Sequence, residues 1–483
     1  MLRPDLSASI VVFLVALPLC VGVAVASGVP AELGLVTGIV GGLVAGALPG
    51  SSLQVSGPAA GLTVLVLEAV RAYGLAALGV IVLATGLLQL LMGALRWGRW
   101  FRAISVSVVE GMLAGIGLVL IAGQLYAMTG AEAPAAGLDK IAGLPGMLLD
   151  TFGTSTARLS LLLGAGTIAV LVLWRRVPHA ARLVPAPLAA VALATTASVA
   201  FSLPVAKVEV TGLLDSVRLP GAGDFAALAN IGVLGTILAF TLIASAESLF
   251  SAAAVDRMHH GRRTHYDKEL MAQGAGNTVC GLLGALPMTA VIVRSAANVQ
   301  AGARTKASRV LHGLWLLLFA ALFPAALAII PLPALAGVLV HAGSKLIPVR
   351  SLPPLWRDHR GEVVILGVTA VSIVAISMFE GVVIGLSMAV VKTAWEASHV
   401  RLEVQDTGEG TVRARLSGNA TFLRLPRILD TLEALPHDRA VELDLSGLHH
   451  LDHACRTALE NWSARHGGGG PECVTVTPVG GRA

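Results

Sequence analysis

Charged residues are scarce in this chain. Asp, Glu, Lys and Arg make up only 13% of its 483 residues, where a soluble domain usually has about a quarter. This scarcity excludes an ordinary soluble protein. The net charge of +5 does not indicate nucleic-acid binding either, because the Lys and Arg residues lie between hydrophobic runs and form no single basic patch.

Cysteine is also rare. The four cysteines show no paired spacing, which argues against a disulfide framework and against a zinc site. The sequence has no Ser/His/Asp grouping, phosphate-binding loop or metal-ligand spacing, so we expect a protein that is not an enzyme and has no cofactor. The first apolar run lacks a small-residue cleavage site and is expected to stay as a helix.

Long hydrophobic runs are abundant instead. Runs of about 17–25 residues, each able to span a bilayer, recur between residues 7 and 400. They predict an all-α polytopic membrane protein with fourteen segments. The predicted segments are 8–27, 33–49, 53–72, 75–95, 104–128, 157–174, 183–202, 232–255, 269–286, 289–303, 308–330, 332–347, 361–378 and 380–398.

The distribution of basic residues predicts the orientation of these segments. Alternate loops are rich in Arg and Lys, and such loops face the cytoplasm. The loops between them, 129–156 and 203–230, contain more acidic than basic residues. We therefore expect both termini on the cytoplasmic side of a bacterial inner membrane.

Two of the segments are interrupted. Residues 51–61 contain an extended stretch that meets Gly57-Pro58, where Pro58 suits the first turn of a helix. Residues 287–303 contain an extended stretch at 290–293 before a helical one. The fourteen predicted segments form two sets of seven, about 8–202 and 232–398, and the interrupted segment is the third in each set. Interrupted segments at the same position in two halves predict inverted repeats with a binding site near the middle of the membrane. Two half-helix N-termini facing each other would suit an anion.

One carboxylate lies inside an apolar run. Glu247 is within residues 231–255, and a charge inside a transmembrane segment marks an ion or substrate pathway by default. The alternative is a hydrogen-bonding partner between packed helices. Glu110 is a second candidate proton site, for which a structural pairing is the simpler interpretation. His259, His260 and His265 lie in a basic loop, where we expect a solvated surface rather than a metal site.

The C-terminal part is polar and has a different pattern. Its sequence predicts strands at 411–415, 440–445 and 473–477 and helices at 423–435 and 453–465. Alternating strands and helices indicate a small α/β domain. We therefore expect two domains, a transmembrane domain at 1–400 and a cytoplasmic domain at 401–483.

Several motifs resemble those of the sulfate permease (SulP) family of anion transporters. They are Leu17-Pro18 with Val29-Pro30, Gln54-Val55-Ser56-Gly57-Pro58, Ala246-Glu247-Ser248-Leu249, Gln273-Gly274-x-Gly276-Asn277, and Arg294 with Gly302-x-Arg304-Thr305. The tail, with Asp444-Leu445-Ser446-Gly447 and Leu451-Asp452, resembles a STAS domain. The resemblance implies a seven-plus-seven inverted repeat in core and gate domains, two half-helices preceded by short strands, a homodimer and an elevator-like movement.

The resemblance also implies where an anion binds. In that family the substrate lies between the first, third, eighth and tenth segments. The matching substrate-binding positions are Leu19, Val23, Pro58, Ala59, Ala60, Ser251, Val293, Arg294 and Ser295. Glu247 matches the coupling position, where proton-coupled relatives tend to have Glu and sodium-coupled relatives Asp. Some relatives have Gln at the position of Leu19, Thr at the position of Ala59 or a hydroxyl residue at the position of Val293. The pocket of this chain is expected to be less polar than theirs.

Four functions remain open at this point. The first is proton-coupled symport of a small anion, namely bicarbonate, a C4-dicarboxylate or sulfate. The second is an uncoupled exchanger or channel of the same fold, in which Glu247 is structural. The third, a nucleobase–proton symporter, is disfavoured by the tail and by Arg294. The fourth is a membrane sensor that signals through the tail without transport.

Overall fold

The computed structural model describes residues 2–99, 105–176, 184–210, 212–406, 411–436, 439–466 and 474–477. It divides the chain into two compact units, Met1–Leu386 and Ser387–Ala483. The first unit is mostly helical, as the hydrophobic runs predicted.

The first unit contains two short strands among its helices. In chain order these elements are α1 (Leu2–Ala26), α2 (Ala31–Val40), β1 (Ser56–Pro58), α3 (Thr63–Ala94), α4 (Val106–Thr129), α5 (Gly137–Thr151), α6 (Ser155–Leu173), α7 (Ala186–Ala200), α8 (Leu213–Ser216), α9 (Ile231–Val255), α10 (Tyr266–Leu282), β2 (Met288–Ala290), α11 (Ile292–Gln300), α12 (Ala307–Leu322), α13 (Ala325–Ala328), α14 (Leu332–Leu346), α15 (Leu352–Asp358), α16 (Arg360–Ala375) and α17 (Met378–Ala397).

Ten of the described helical stretches are strongly apolar. Six are long enough to cross a membrane by length and composition: Arg3–Ala26, Ala60–Ala94, Val106–Thr129, Ser155–Leu173, Ile231–Val255 and Met378–Ala397. Four shorter ones are Ala31–Ala45, Ala186–Ala200, Ala307–Leu322 and Leu332–Leu346. The count of fourteen spans remains a prediction.

The two interrupted segments differ in detail from the sequence prediction. Pro58 lies in strand β1 and not in a first helical turn, because helical structure begins only at Ala60. Val293 is helical and not extended: the strand pairing ends where Val291 N–H donates to the Val55 carbonyl, and α11 starts at the next residue. Within α3 the backbone leaves helical geometry at Gly74, with φ 83° and ψ 166°, so α3 consists of two helices joined there. This break falls between the predicted spans 53–72 and 75–95.

Close helix packing depends on glycine. In α3 and α10, a methyl group on Gly86 would lie 2.3 Å from the Thr278 nitrogen, and one on Gly281 would lie 2.2 Å from that of Leu83. In α4 and α14, a methyl group on Gly117 would lie 2.8 Å from the Gly343 carbonyl oxygen. Small residues of this kind let helix backbones approach each other in a membrane.

The second unit is a four-stranded sheet with two helices. Its elements are β3 (Val400–Asp406), β4 (Thr411–Ala420), α18 (Leu425–Glu433), β5 (Ala440–Leu451), α19 (His453–His466) and β6 (Val474–Thr477). The strand order is β3-β4-β5-β6, with β3 antiparallel to β4 and the remaining pairs parallel. Buried side chains such as Leu416, Leu443 and Trp462 form its core.

The tail differs from the prediction at its beginning. The sequence did not predict β3, and the division between the units falls inside α17 rather than at residue 400. The end of α17 belongs with the tail because the Arg424 guanidinium stacks 4.2 Å from the centre of the Trp395 ring and Asn419 Nδ2 donates to the Ala397 carbonyl. Cys473, predicted to begin the last strand, lies outside the described residues.

Candidate functional site

The two short strands of the first unit pair with each other. β1 and β2 are antiparallel, with Gly57 opposite Thr289 and Pro58 opposite Met288. The pairing joins residues about 230 positions apart in the chain. Each strand leads directly into a helix. The helical segment that leads into α3 and helix α11 therefore both start at this strand pair, which we call the strand crossing.

Helix α9 holds this crossing from one side. Ser248 Oγ accepts a hydrogen bond from the Ala290 N–H at 3.2 Å, and Ser251 Oγ donates to the Ala290 carbonyl at 3.0 Å. Gln54 Nε2 donates to the Ser248 carbonyl at 2.8 Å. The first two bonds fix β2 against the helix that carries Glu247, and the third fixes the segment that precedes β1 against the same helix.

Buried amides of α10 hold the crossing from another side. Asn277 Oδ1 accepts from the Met288 N–H at 2.7 Å, and its Nδ2 donates to the Met288 carbonyl at 3.1 Å. Gln273 Nε2 donates to Ser56 Oγ at 2.7 Å. Both amide side chains are fully buried. The Gln273-Gly274-x-Gly276-Asn277 motif therefore supplies polar partners for strand edges that no water reaches.

A cavity of about 120 Å³ lies beside the crossing. Most of its lining is apolar, with Glu247, Ser251, Arg294, His341 and Lys345 as its polar residues. The lining residues are Leu19, Val23, Pro58, Ala60, Gly61, Val109, Met112, Leu113, Leu171, Pro187, Glu247, Phe250, Ser251, Val291, Ile292, Val293, Arg294, Val338, His341, Ala342, Lys345 and Leu346.

Glu247 faces this cavity with an incompletely bonded carboxylate. Among the described residues its Oε2 atom has no hydrogen-bond partner, and the Thr289 hydroxyl is a neighbouring hydrogen-bonding group. A methyl group on Gly61 would lie 2.7 Å from Oε1 and 2.9 Å from Oε2. The absence of a side chain at Gly61 thus lets the carboxylate lie directly against the start of the first half-helix.

Arg294 is in the first turn of α11, and its side chain is completely buried at 0% exposure. Its Nη2 donates to the Pro58 carbonyl at 3.3 Å. A methyl group on Gly57 would lie 2.1 Å from Nη1, and among the described residues Nε and Nη1 have no hydrogen-bond partner. The guanidinium is therefore packed against β1 within the cavity wall rather than extended into the open space.

The structure brings together most of the residues that the sequence indicated. Leu19, Val23, Pro58, Ala60, Glu247, Ser251, Val293 and Arg294 all line the cavity. Ala59 and Ser295 do not. Ser295 is fully buried, and its Oγ accepts from the Val55 N–H and donates to the Val291 carbonyl. Ala59 is buried at the end of β1. The functional role of the set remains a prediction.

Sequence reasoning missed the contribution of α14 to this cavity. His341 and Lys345 are spaced by four residues and both line the wall, as the geometry of one helical face requires. Lys345 lies near the end of the predicted segment 332–347, and the sequence analysis gave it no role in the site. Two ionisable residues at helical spacing in an otherwise apolar segment were the signal that could have identified them.

Other candidates lie outside this cavity. Glu110 is half-buried in α4, and its neighbours Val109 and Met112 line the cavity whereas Glu110 does not. In the described parts of the chain, no group of three or more His, Cys, Asp or Glu is placed to hold a metal ion.

A profile of the sulfate permease family matches residues 2–369. A putative sulfate transporter of Bacillus subtilis, YvdB, is 26% identical over 398 residues, which cover 80% of this chain and 73% of that protein. The bicarbonate transporter BicA of Picosynechococcus is 26% identical over 509 residues, which cover 95% of this chain and 86% of that protein.

Two solved structures have the same fold. The transmembrane domain of a cyanobacterium bicarbonate transporter, BicA, aligns with a TM-score of 0.68 at 23% identity and covers 80% of this chain and 97% of its own. The murine Slc26a9 anion transporter in the inward-facing state aligns with a TM-score of 0.80 at 15% identity. That alignment covers 99% of this chain and 86% of its own.

Proposed function

The chain belongs to the sulfate permease family, and from this membership and its cavity we propose that it is a proton-coupled secondary transporter of a small anion. The observation that supports the proposal most is the joining of the two half-helix starts beside Glu247. As a member of a family of transporters, the chain is a multi-pass membrane protein.

The anion site that we propose lies at the strand crossing. The first N–H groups of a helix have no intrahelical acceptor, and helix N-termini favour negative charge. Two such starts, Ala60–Leu62 and α11, meet at the cavity. The buried Arg294 charge in the wall adds a positive field, which is stronger in a low-dielectric interior than in water. Lys345 and His341 of α14 provide further polar groups in the lining.

Coupling to protons is proposed to act through Glu247. An anion that enters the cavity would place a second negative charge near this carboxylate, and a proton on Glu247 would remove the repulsion. Anion binding and proton binding would then strengthen each other by the same factor. The unpartnered Oε2 atom provides a position where that proton could reside.

The movement that we propose is elevator-like. The strands, α1, α3 and α9–α11 would carry the anion as a core, and α4, α6, α7 and α14, which supply the remaining lining, would form the gate. We further propose the seven-plus-seven repeat with fourteen spans, a homodimer, cytoplasmic termini in an inner membrane, and a STAS function for the tail. The core assignment is supported by the hydrogen bonds that link β1, β2, α9 and α10.

The substrate class remains bicarbonate, a C4-dicarboxylate or sulfate. The names of the relatives, sulfate and bicarbonate transporters, support an inorganic anion. An uncoupled exchanger or channel is the alternative, since the contact of Glu247 with Gly61 would also suit a structural carboxylate.

Proteoliposomes distinguish the two functions. The purified full-length chain is reconstituted, and uptake of labelled bicarbonate, sulfate and succinate is measured with and without an inwardly directed proton gradient. Symport predicts accumulation above equilibrium for one of these anions only when the gradient is present. Equal uptake with and without the gradient would support the uncoupled alternative, and no flux of any anion would contradict both.

A further inference from the structure

A second cavity lies where three loops of the first unit meet, and its volume is about 760 Å³. The lining comes from residues 48–53 before β1, from residues 259–268, which form the end of the α9–α10 loop and the first turn of α10, and from residues 303–306 between α11 and α12. None of its lining residues lines the Glu247 cavity. It is therefore a separate site on the same helices.

The side chains around this second cavity are strongly basic. Five of them are cationic, and the lining contains no Asp or Glu. The cationic residues are Arg262, Arg263, Lys268, Arg304 and Lys306. Within the described part of the chain, none of the five has a carboxylate at ion-pair distance. In an ordinary solvated basic loop, the cationic residues belong to one stretch of chain. Here cationic residues from separate parts of the chain line one cavity.

Three nearby carboxylates, those of Asp5, Asp256 and Glu269, are occupied by bonds that brace the loops. Asp267, next to Lys268, does not line the cavity, and its Oδ1 lies against Gly98, 2.8 Å from where a methyl group on that glycine would be. Asp5 Oδ1 accepts from the backbone N–H groups of Arg304 and Thr305. Asp256 accepts from the Thr264 N–H and hydroxyl, and Glu269 accepts from the Ser51 N–H at 2.7 Å. The loop backbones are thereby held in place, while the cationic side chains are left without acidic partners.

Neutral hydrogen-bond donors complete the wall. His259 Nδ1 accepts from the Gly261 N–H at 3.0 Å, so its neutral ring carries the proton on Nε2, which has no partner among the described residues. His265 Nδ1 accepts from the Lys268 N–H at 3.5 Å, which leaves its Nε2 as a donor too. Ser51 is 3% exposed, and its Oγ also lacks a partner.

We propose that this second cavity binds a multiply charged, phosphate-bearing anion. Arg guanidinium groups match the geometry of phosphate oxygens, and several cations without acidic neighbours favour more than one negative charge. The lining has no Phe, Tyr or Trp residue, and its cations and N–H donors match the phosphate group itself. Because the loops continue into β1, α9 and α11, such a ligand would bridge elements that form the Glu247 cavity.

The test uses the full-length chain in nanodiscs of phosphatidylcholine, with tripolyphosphate as the soluble probe and titration calorimetry as the readout. The test variant is Arg262→Gln/Arg263→Gln/Arg304→Gln. All three side chains are exposed, so the change should not disturb packing. The matched control is Arg350→Gln/Arg357→Gln/Arg360→Gln, which removes three exposed Arg residues outside the second cavity.

The parent and the control variant should bind tripolyphosphate with equal affinity. The test variant should bind at least about tenfold more weakly, since it loses charge-assisted hydrogen bonds to the phosphate oxygens. Ser51→Ala should weaken binding while leaving the melting temperature unchanged. No binding by the parent would overturn the proposal. Equal losses in the test and control variants would overturn it as well, because they would indicate unspecific attraction.

A second set of nanodiscs distinguishes the source of the phosphate. Phosphatidic acid is added to the phosphatidylcholine, and the tripolyphosphate titration is repeated on the parent and the control. If phosphatidic acid prevents tripolyphosphate binding, a lipid headgroup occupies the second cavity. If tripolyphosphate binds with unchanged affinity, the cavity selects a soluble phosphate compound.

Discussion

Gly61→Ala tests whether the position of the Glu247 carboxylate matters for transport. The added methyl group would lie 2.7 Å from Oε1, whereas ordinary contacts begin at 3.4 Å. Relieving the clash requires a displacement of about 0.7 Å. The carboxylate is the end of a flexible side chain, so it can move and the chain should fold normally. Misplacement by about 1 Å can reduce the rate of a positioned reaction about a hundredfold.

We therefore expect Gly61→Ala to reduce the initial rate of proton-driven anion uptake by about tenfold to a hundredfold, with a melting temperature close to that of the parent. The assay is uptake into proteoliposomes, normalised to the amount of reconstituted protein. Gly235→Ala in α9 is the control, because a methyl group there meets no atom within 4 Å. Uptake by Gly61→Ala equal to that of both parent and control would show that transport does not depend on the position of the Glu247 carboxylate.

Three further predictions follow from the structure. Arg294→Met keeps the buried stem and removes the charge, so the dissociation constant of the anion should rise at least about tenfold, measured by binding of labelled substrate. Lys345→Gln should raise the half-saturating anion concentration, whereas Arg350→Gln, outside the cavity, should not. Burial alone would raise the pKa of Asp452, but hydrogen bonds from the Cys455 and Phe422 N–H groups outweigh burial and hold that pKa below its ordinary value. Asp452→Ala removes an N-cap and should therefore destabilise the tail at neutral pH by about 1 kcal/mol. In thermal unfolding, this difference between variant and parent should vanish as the pH falls through the lowered pKa.

The sequence predicted the existence of the two broken segments but not their exact limits. Gly57-Pro58 and the extended stretch after Pro287 are local signals, and they indicated where regular helix stops. The position of Pro58 within a strand and the helical start at Ile292 depend on pairing between β1 and β2. Such long-range pairing leaves no local pattern in either segment, so single-segment reasoning could not place these boundaries.

Site residues that belong to a recognisable motif could be predicted from the sequence. The orientation of side chains toward the cavity could not. The resemblance indicated Glu247, Ser251 and Arg294, and all three line the cavity. The burial of the Arg294 guanidinium against β1 depends on the missing side chain at Gly57, which only the folded structure relates to Arg294. Lys345 lies within the predicted segment 332–347 and was given no role in the site, because hydropathy does not show which face of a short helix turns toward a cavity.

Glu247→Gln tests our proposal that Glu247 couples anion transport to protons. Gln keeps the size and hydrogen-bonding capacity of the protonated acid but cannot release a proton. In proteoliposomes loaded with unlabelled anion, the variant should exchange it for labelled anion at a rate near that of the parent. With an alkaline interior and no internal anion, the parent should accumulate label above equilibrium and the variant should not. Accumulation by the variant equal to that of the parent would contradict the account.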